Sequence, residues 1–116
     1  MSDLLVQVAG ILGIAVALLH GYLGETKVFA KIPIQPAGAR RIIRAVWHNS
    51  VVAWIAVGAL LTLVPFLGSE RARYCIIAAS IATYGSAAIA NAWATRGRHF
   101  GWAALAIVVG LALAGI

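Results

Sequence analysis

Four long apolar runs determine most of what this chain can fold into. In a chain of 116 residues they cover Leu4–Leu23, Ala45–Leu67, Tyr74–Ala94 and Phe100–Ile116. Each run is close to the roughly 20 residues that a helix needs to cross a ~30 Å hydrocarbon core. Hydrophobic residues make up 63% of the chain and charged residues only 10%, which excludes a soluble bundle with polar helix faces. The sequence predicts a single all-α domain, an integral membrane four-helix bundle with helices at about 4–23, 40–67, 73–94 and 100–116.

The cations are distributed unevenly between the predicted loops. Five of the nine Lys and Arg residues lie between the first two runs and two lie between the last two, whereas the second loop holds the remaining two. Because loops rich in Lys and Arg stay in the cytoplasm, the first and third loops are predicted to be cytoplasmic. Both termini then lie on the non-cytoplasmic side of a bacterial inner membrane that the chain crosses several times. The net charge of +6 reflects this topology, and no nucleic-acid partner is predicted.

Polar side chains gather near one end of the predicted bundle. His20 comes one turn before the end of the first run, and His48 about one turn inside the second. Alternating topology brings both to the membrane face that also holds Glu25, Asn91 and His99. Ionisable groups are costly close to hydrocarbon, so several at one depth indicate a functional site. The sequence predicts that these five residues bind a metal or a small ligand at the cytoplasmic membrane interface.

The chemistry of that site stays open at the level of sequence. Three imidazoles and a carboxylate suit a transition metal such as Zn, Fe or Mn, and two histidines on different helices suit haem b. No two histidines have the i, i+3 or i, i+4 spacing that makes a metal motif specific, so a hydrogen-bond network without a cofactor is the alternative. A site at this depth also opens to cytoplasm or lipid, which makes a quinone, an isoprenoid or a lipid head conceivable.

Cations and aromatic residues surround the predicted site. Arg41 and Arg44 share a helical face with His48, and we predict that they contact anionic lipid headgroups or an anionic ligand. Trp54 lies deeper and either packs in the bundle or covers the inner side of the site. The aromatic belt that membrane proteins carry at this depth is predicted to include Trp47, Trp93 and Trp102.

Small residues recur every four positions in the first run, at Ala9, Gly13, Ala17 and Gly21. Such a ladder lets another helix approach closely, since helix association in lipid depends on van der Waals fit. The partner is either another helix of the same bundle or a second chain, in a homo-oligomer or a larger membrane complex. The ladder therefore leaves a non-catalytic accessory role open.

Several activities lack the residues that they need. No Asp, Glu, Lys or Arg lies in the middle of any run, so proton-coupled export and charge-lined ion pathways have no central group. The chain has no Walker A, Gly-x-Ser-x-Gly or His-Glu-x-x-His pattern, so a nucleotide-driven pump or a standard hydrolase is not predicted. Whether the chain is an enzyme stays open.

Three segments carry a resemblance to a known family. They are residues 20–25 (HGYLGE), 40–54 (RRIIRAVWHNSVVAW) and 97–102 (GRHFGW). The set resembles an uncharacterised family of small four-helix bacterial membrane proteins with H-x-x-L-G-E, R-R-x-x-R-x-x-W-H-x-x-S-x-x-W and G-R-H-x-x-W segments, although Ser50 stands one residue early. The resemblance covers nearly the whole chain and implies a four-helix membrane fold but no activity. It implies that one unit is formed by His20, Glu25, Arg41, Arg44, Trp47, His48 and Trp102.

The sequence thus favours one function and leaves two others open. The favoured function is a small inner-membrane protein whose His/Glu/Asn site binds a metal or a small ligand at the cytoplasmic interface. One alternative is a redox membrane subunit that depends on haem or a metal. The other is a non-catalytic accessory or assembly subunit of a larger membrane complex.

Overall fold

The chain folds into four helices joined by short loops. The computed structural model describes residues 2–116. The α-helices are α1 (Asp3–Leu23), α2 (Ala37–Leu63), α3 (Glu70–Thr95) and α4 (Gly101–Ala114). A π-helical segment, Gly24–Phe29, continues α1, and a 3-10 turn, Val64–Phe66, continues α2. The predicted all-α fold with four helices is confirmed.

Three of the helices are long and apolar enough to cross a membrane. With their continuations they cover Asp3–Phe29, Ala37–Phe66 and Glu70–Thr95, and their most apolar stretches have mean hydropathies of 2.1, 1.8 and 1.4. The sequence predicted a fourth full span over residues 100–116, but α4 has only 14 residues. That corresponds to about 21 Å, less than the ~30 Å of a hydrocarbon core. The chain is therefore a candidate multi-pass membrane protein with three long helices and one shorter apolar helix.

The first helix continues further than the sequence predicted. The prediction ended it at Leu23, whereas the π-helical segment carries the helical backbone on to Phe29 and leaves residues 30–36 as the loop. In this segment the amide of Ala30 donates to the carbonyl of Glu25, five residues earlier, at 3.1 Å. Such π-helical segments are rare and occur frequently at functional sites. Here the segment carries Glu25 alongside α2.

The small-residue ladder of α1 lies inside the bundle. All four of its members, Ala9, Gly13, Ala17 and Gly21, are buried. A Cβ atom on Gly13 would come within 2.5 Å of the Tyr84 hydroxyl on α3, and one on Gly21 within 3.3 Å of a Val51 methyl on α2. The ladder thus packs against the other helices of the same chain. It presents no free surface to a second chain, which removes the basis for predicting a partner there.

The interior and the surface of the bundle carry different apolar side chains. The buried core includes Val6, Leu61 and Ile77, whereas Leu4 and Ile89 are 69% and 72% exposed. Large apolar side chains on the outside cost little in a bilayer, because lipid tails are as apolar as leucine. This distribution agrees with a bundle whose outer surface contacts lipid.

The two terminal regions meet at one end of the bundle, which we call the closed end. Arg73, at the start of α3, donates to the carboxylate of Asp3 at 2.6 Å and to the carbonyl of Gly115 at 2.5 Å. The Ser2 amide donates to the same carbonyl at 3.4 Å. Arg73, which lies between the second and third apolar runs, is only 5% exposed. The opposite end, formed by residues 24–44 and 95–101, holds seven of the nine cations, and we call it the basic end.

Candidate functional site

The five residues predicted to form one site lie in two groups at the basic end. Glu25 and His48 belong to an ion cluster between the π-helical segment and α2. His20, Asn91 and His99 instead line a cavity that all four helices enclose. All five residues thus lie at the same end of the bundle, as their depth predicted. The rotation of the helices divides them between the ion cluster and the cavity.

The ion cluster is centred on the Glu25 carboxylate. Arg44 donates to both of its oxygens, from Nε at 2.8 Å and from Nη2 at 2.9 Å. His48 Nε2 lies 2.5 Å from one of the same oxygens. Arg44 and His48 are one helical turn apart on α2, so they meet the carboxylate from the same face. Such a two-pronged Arg–carboxylate pair fixes geometry as well as charge, and here it fastens the π-helical segment to α2.

This arrangement changes the interpretation of the two arginines that were predicted to contact anions. Arg44 donates from Nε and Nη2 to Glu25, so this guanidinium is held by a carboxylate of its own chain. Arg41 is exposed and forms no ion pair within residues 2–116. Contact with a lipid headgroup therefore stays a prediction for Arg41 and also for Arg44, whose Nη1 is not used by Glu25.

A cavity of about 400 Å³ lies between the helices at the basic end. Its volume falls in the range of pockets that hold small molecules. Its walls are mainly apolar, and because Leu19, Ala94 and Phe100 are exposed, it opens at the surface of the bundle. The lining residues are Val16, Leu19, His20, Leu23, Trp47, Trp54, Ala87, Ala90, Asn91, Ala94, Thr95, His99, Phe100, Gly101, Ala104 and Leu105.

The imidazole of His20 is held between two indoles. Its ring centroid is 4.3 Å from that of Trp47, with 9° between the planes, and 4.6 Å from that of Trp54, with 28° between the planes. The Trp47 indole also donates from Nε1 to the backbone carbonyl of His20 at 3.0 Å. This indole lies against Gly24, where a Cβ atom would overlap it. The sandwich fixes the plane of the His20 ring inside the cavity.

Trp47 therefore has a different setting from the other two tryptophans of the predicted aromatic belt. Trp93 is 83% exposed and Trp102 is 37% exposed at the surface of the basic end. Trp47 is half-buried and forms part of the cavity wall. Its position agrees with the depth of a belt residue, but its contacts are with His20 of α1 and with Gly24 and Phe29 of the π-helical segment.

The hydrogen bonds of His20 assign its tautomer. Its Nε2 lies 3.3 Å from the hydroxyl of Ser50, and that hydroxyl donates its own hydrogen to the carbonyl of Trp47 at 2.5 Å. Because the hydroxyl hydrogen is already used, the hydroxyl oxygen accepts from His20, and Nε2 carries the proton. In the neutral ring Nδ1 is then a hydrogen-bond acceptor. This nitrogen has no hydrogen-bond partner within residues 2–116.

His99 and Asn91 both serve the first turn of α4. The Gly101 amide donates to His99 Nδ1 at 3.0 Å, and the Trp102 amide donates to Asn91 Oδ1 at 3.1 Å. These bonds satisfy two of the amides that a helix start leaves without a partner. Since Nδ1 accepts, the neutral His99 ring carries its proton on Nε2. The Nε2 of His99 and the Nδ2 of Asn91 are left as donors without a partner within residues 2–116.

The residues present do not fit the predicted metal or haem. Within residues 2–116 no three His, Cys, Asp or Glu side chains are placed to hold one metal ion. His48 is directed at Glu25, and Nε2 of His20 is directed at Ser50. His48 is also absent from the residues that line the cavity, so a haem has no common space between His20 and His48. The predicted ligand set therefore does not converge on one centre.

Two residues that contact His20 were not assigned to the site from the sequence: Trp54, for which two roles were left open, and Ser50. Trp54 lies two helical turns beyond Trp47 on α2, and this spacing would have indicated that both indoles share a face. Ser50 carries no signal of its own, because serine in an apolar helix commonly bonds to its own backbone. Only the contact with His20 shows that the Ser50 hydroxyl fixes the position of the proton on the His20 ring.

Comparison with known proteins adds no family. No protein-family model, curated protein or solved structure matches the chain. The resemblance to the small four-helix bacterial family thus stays a prediction. The features that bear on function are therefore the cavity and the groups that line it.

Proposed function

We propose that the protein is a small multi-pass membrane protein that binds a largely apolar small molecule with a polar head in the cavity at the basic end. The observation that carries the proposal is a cavity of about 400 Å³ with apolar walls and a few convergent polar groups. Three of those groups, on His20, Asn91 and His99, have hydrogen-bonding capacity left over. A cavity built only for packing would be filled by side chains.

The charges around the cavity indicate a neutral ligand. No Asp, Glu, Lys or Arg is among the lining residues of the described chain, 2–116. An anionic or cationic head would therefore enter without an opposite charge to compensate its lost hydration, which is expensive in an apolar site. The cations of the basic end do not line the cavity, and Arg44 is paired with Glu25.

We further propose that the basic end faces the cytoplasm of a bacterial inner membrane and that α4 also crosses the bilayer. α4 begins beside Asn91 at the basic end and ends beside Arg73 at the closed end, so it runs the same course as α1 in reverse. The excess of Lys and Arg at the basic end supports this orientation. Both termini are then non-cytoplasmic.

The orientation can be measured with the only cysteine of the chain. Cys75 is exposed near the closed end. In spheroplasts a membrane-impermeant maleimide is expected to label Cys75 directly. A Cys75→Ser/Arg98→Cys variant, with its thiol at the basic end, is expected to react only after permeabilisation. The reverse pattern would place the basic end outside and refute the proposed orientation.

Ligand binding is tested by filling the cavity. The protein is extracted in a mild detergent and examined by native mass spectrometry for a bound small molecule. Ala104 lines the cavity, whereas Ala106 on the same helix is exposed outside it. We expect Ala104→Phe to lose the bound molecule and the matched Ala106→Phe variant to retain it. A wild-type protein without any adduct, or equal retention by both variants, would refute the proposal.

A further inference from the structure

The two histidines of the cavity offer opposite hydrogen-bonding groups to a ligand. Because Ser50 accepts from Nε2 of His20, the acceptor Nδ1 of His20 is left over. Because Gly101 donates to Nδ1 of His99, the donor Nε2–H of His99 is left over. Neither nitrogen is among the fully buried side-chain atoms that lack a partner in residues 2–116, so both remain accessible.

This pattern restricts the polar head of the ligand. A carboxylate or a fully ionised phosphate provides acceptors only, so it would satisfy His99 but would face the acceptor of His20. An ammonium provides donors only and would leave His99 unsatisfied. A head with one hydroxyl donor and a second oxygen as acceptor satisfies both histidines. The Nδ2 group of Asn91 is a further donor that an acceptor oxygen of the ligand could use.

The shape of the walls favours a flat head. The indoles of Trp47 and Trp54 and the ring of Phe100 line the same cavity. Phe100 stacks on His99, with ring centroids 4.5 Å apart. Aromatic walls favour an aromatic ligand through stacking and edge contacts beyond the gain from buried area. The remaining lining, mainly Ala, Val and Leu, accepts an apolar tail or ring substituents.

We propose that the cavity binds a neutral hydroquinone-type head, in which one ring hydroxyl donates to Nδ1 of His20 and a second ring oxygen accepts from Nε2 of His99. This inference rests on the proposed function and specifies its ligand class. The reduced, hydroxylated head fits better than the oxidised quinone, because a quinone has two acceptors and no hydrogen to donate to His20.

Calorimetric titration of the purified protein in detergent tests this inference with four probes. They are trimethylhydroquinone, its dimethyl ether, the corresponding quinone, and decyl phosphate. Leaving a polar site group unpaired typically costs enough to weaken binding about tenfold. We therefore expect trimethylhydroquinone to bind about tenfold more tightly than its dimethyl ether and the quinone, and decyl phosphate to bind more weakly than trimethylhydroquinone.

Variants assign the preference to His20. His20→Phe keeps a flat ring between the two indoles but removes the acceptor, so we expect the difference between trimethylhydroquinone and its dimethyl ether to fall to about twofold or less. His48→Gln serves as the control, since His48 lies outside the cavity, and is expected to keep the full preference.

The possible failures are distinguishable. Equal binding of trimethylhydroquinone and its dimethyl ether, with both abolished by Ala104→Phe, would overturn the hydroquinone inference and leave the proposed cavity site standing. Tighter binding of decyl phosphate would overturn it in favour of an anionic head. Absence of binding by all four probes would also overturn the inference, and the native adduct would then decide separately whether the cavity is a site.

Discussion

The same four helices are in close contact at one end of the molecule and leave a cavity at the other. Toward the closed end, Gly10 of α1 meets Gly58 of α2 so closely that a Cβ atom on Gly10 would come 2.5 Å from the Gly58 carbonyl oxygen. Toward the basic end, the indoles of Trp47 and Trp54 stand beside His20, and about 400 Å³ remains open. Glycines bring the backbones together, whereas large rings hold the helices apart.

The polar groups of the two ends differ in the same way. At the closed end, Arg73 is bonded to Asp3 and to the Gly115 carbonyl, and these contacts join α3 to both terminal regions. At the basic end, His20 and His99 each use one ring nitrogen for the fold and leave the other without a partner within residues 2–116. The closed end thus uses its polar groups to hold the fold together, while the basic end leaves some of them without a partner within residues 2–116.

The largest effect is expected from enlarging the closest helix contact. Gly10→Leu would force a side chain against the Gly58 carbonyl and the Thr62 backbone nitrogen, 2.5 and 2.8 Å from the Cβ position. Because backbone atoms cannot rotate away, we expect a loss of about 3 kcal/mol in the free energy of unfolding, measured by denaturation in detergent micelles. The control is Gly110→Leu on α4, where nothing lies within 4 Å, and it should not be destabilised. Equal stability of the two variants would contradict the tight contact.

A smaller effect is expected from removing the buried cation of the closed end. Arg73→Met keeps a long side chain but removes the donor to the Asp3 carboxylate and leaves the Gly115 carbonyl only the longer bond from the Ser2 amide. We expect the free energy of unfolding to fall by about 2 kcal/mol, since hydrogen bonds to a charged group contribute about that much. Arg71→Met, an exposed cation two residues earlier, is the matched control. If both variants unfold at the same denaturant concentration, the cluster does not hold the terminal regions together.

The smallest effect on stability is expected from adding a ring to the cavity end. Ala104→Phe places the new side chain in open space, so we expect a change in the free energy of unfolding of no more than about 1 kcal/mol. The same unfolding measurement applies, with Ala106→Phe as the control. A loss as large as that of Gly10→Leu would mean that the basic end is as closely packed as the closed end, and the comparison would fail.

Much of the fold could be predicted from the sequence because continuous apolar runs are read directly as helices. The predicted α2 and α3, residues 40–67 and 73–94, agree with the observed helices to within about four residues at each end, in the usual range for helix boundaries. The predicted end of α1 at Leu23 is confirmed for the α-helix, but its continuation to Phe29 was not predicted, because a π-helical segment has no distinct sequence signal. The fourth helix, predicted over residues 100–116, is confirmed as a helix, but α4 covers only 14 residues, so its crossing of the bilayer stays a prediction.

The candidate site was predicted in depth but not in arrangement. Alternating topology placed His20, Glu25, His48, Asn91 and His99 at one end, and the structure brings them there. The sequence did not reveal that Glu25 and His48 pair with each other while the remaining three residues line the cavity. A helix that is apolar all round has no polar stripe to define its inward face, so its rotation could not be read from sequence.

The general character of the molecule follows from the sequence, which has apolar runs long enough for a bilayer, cations concentrated at one end, and polar side chains at that same depth. Which of those side chains meet depends on how the helices pack. Helix rotation, the π-helical segment after Leu23 and the stacking of His20 between Trp47 and Trp54 all arise from contacts between residues distant in the chain. The physical reason is that burial in lipid depends on composition, whereas a binding site depends on the direction in which each side chain points.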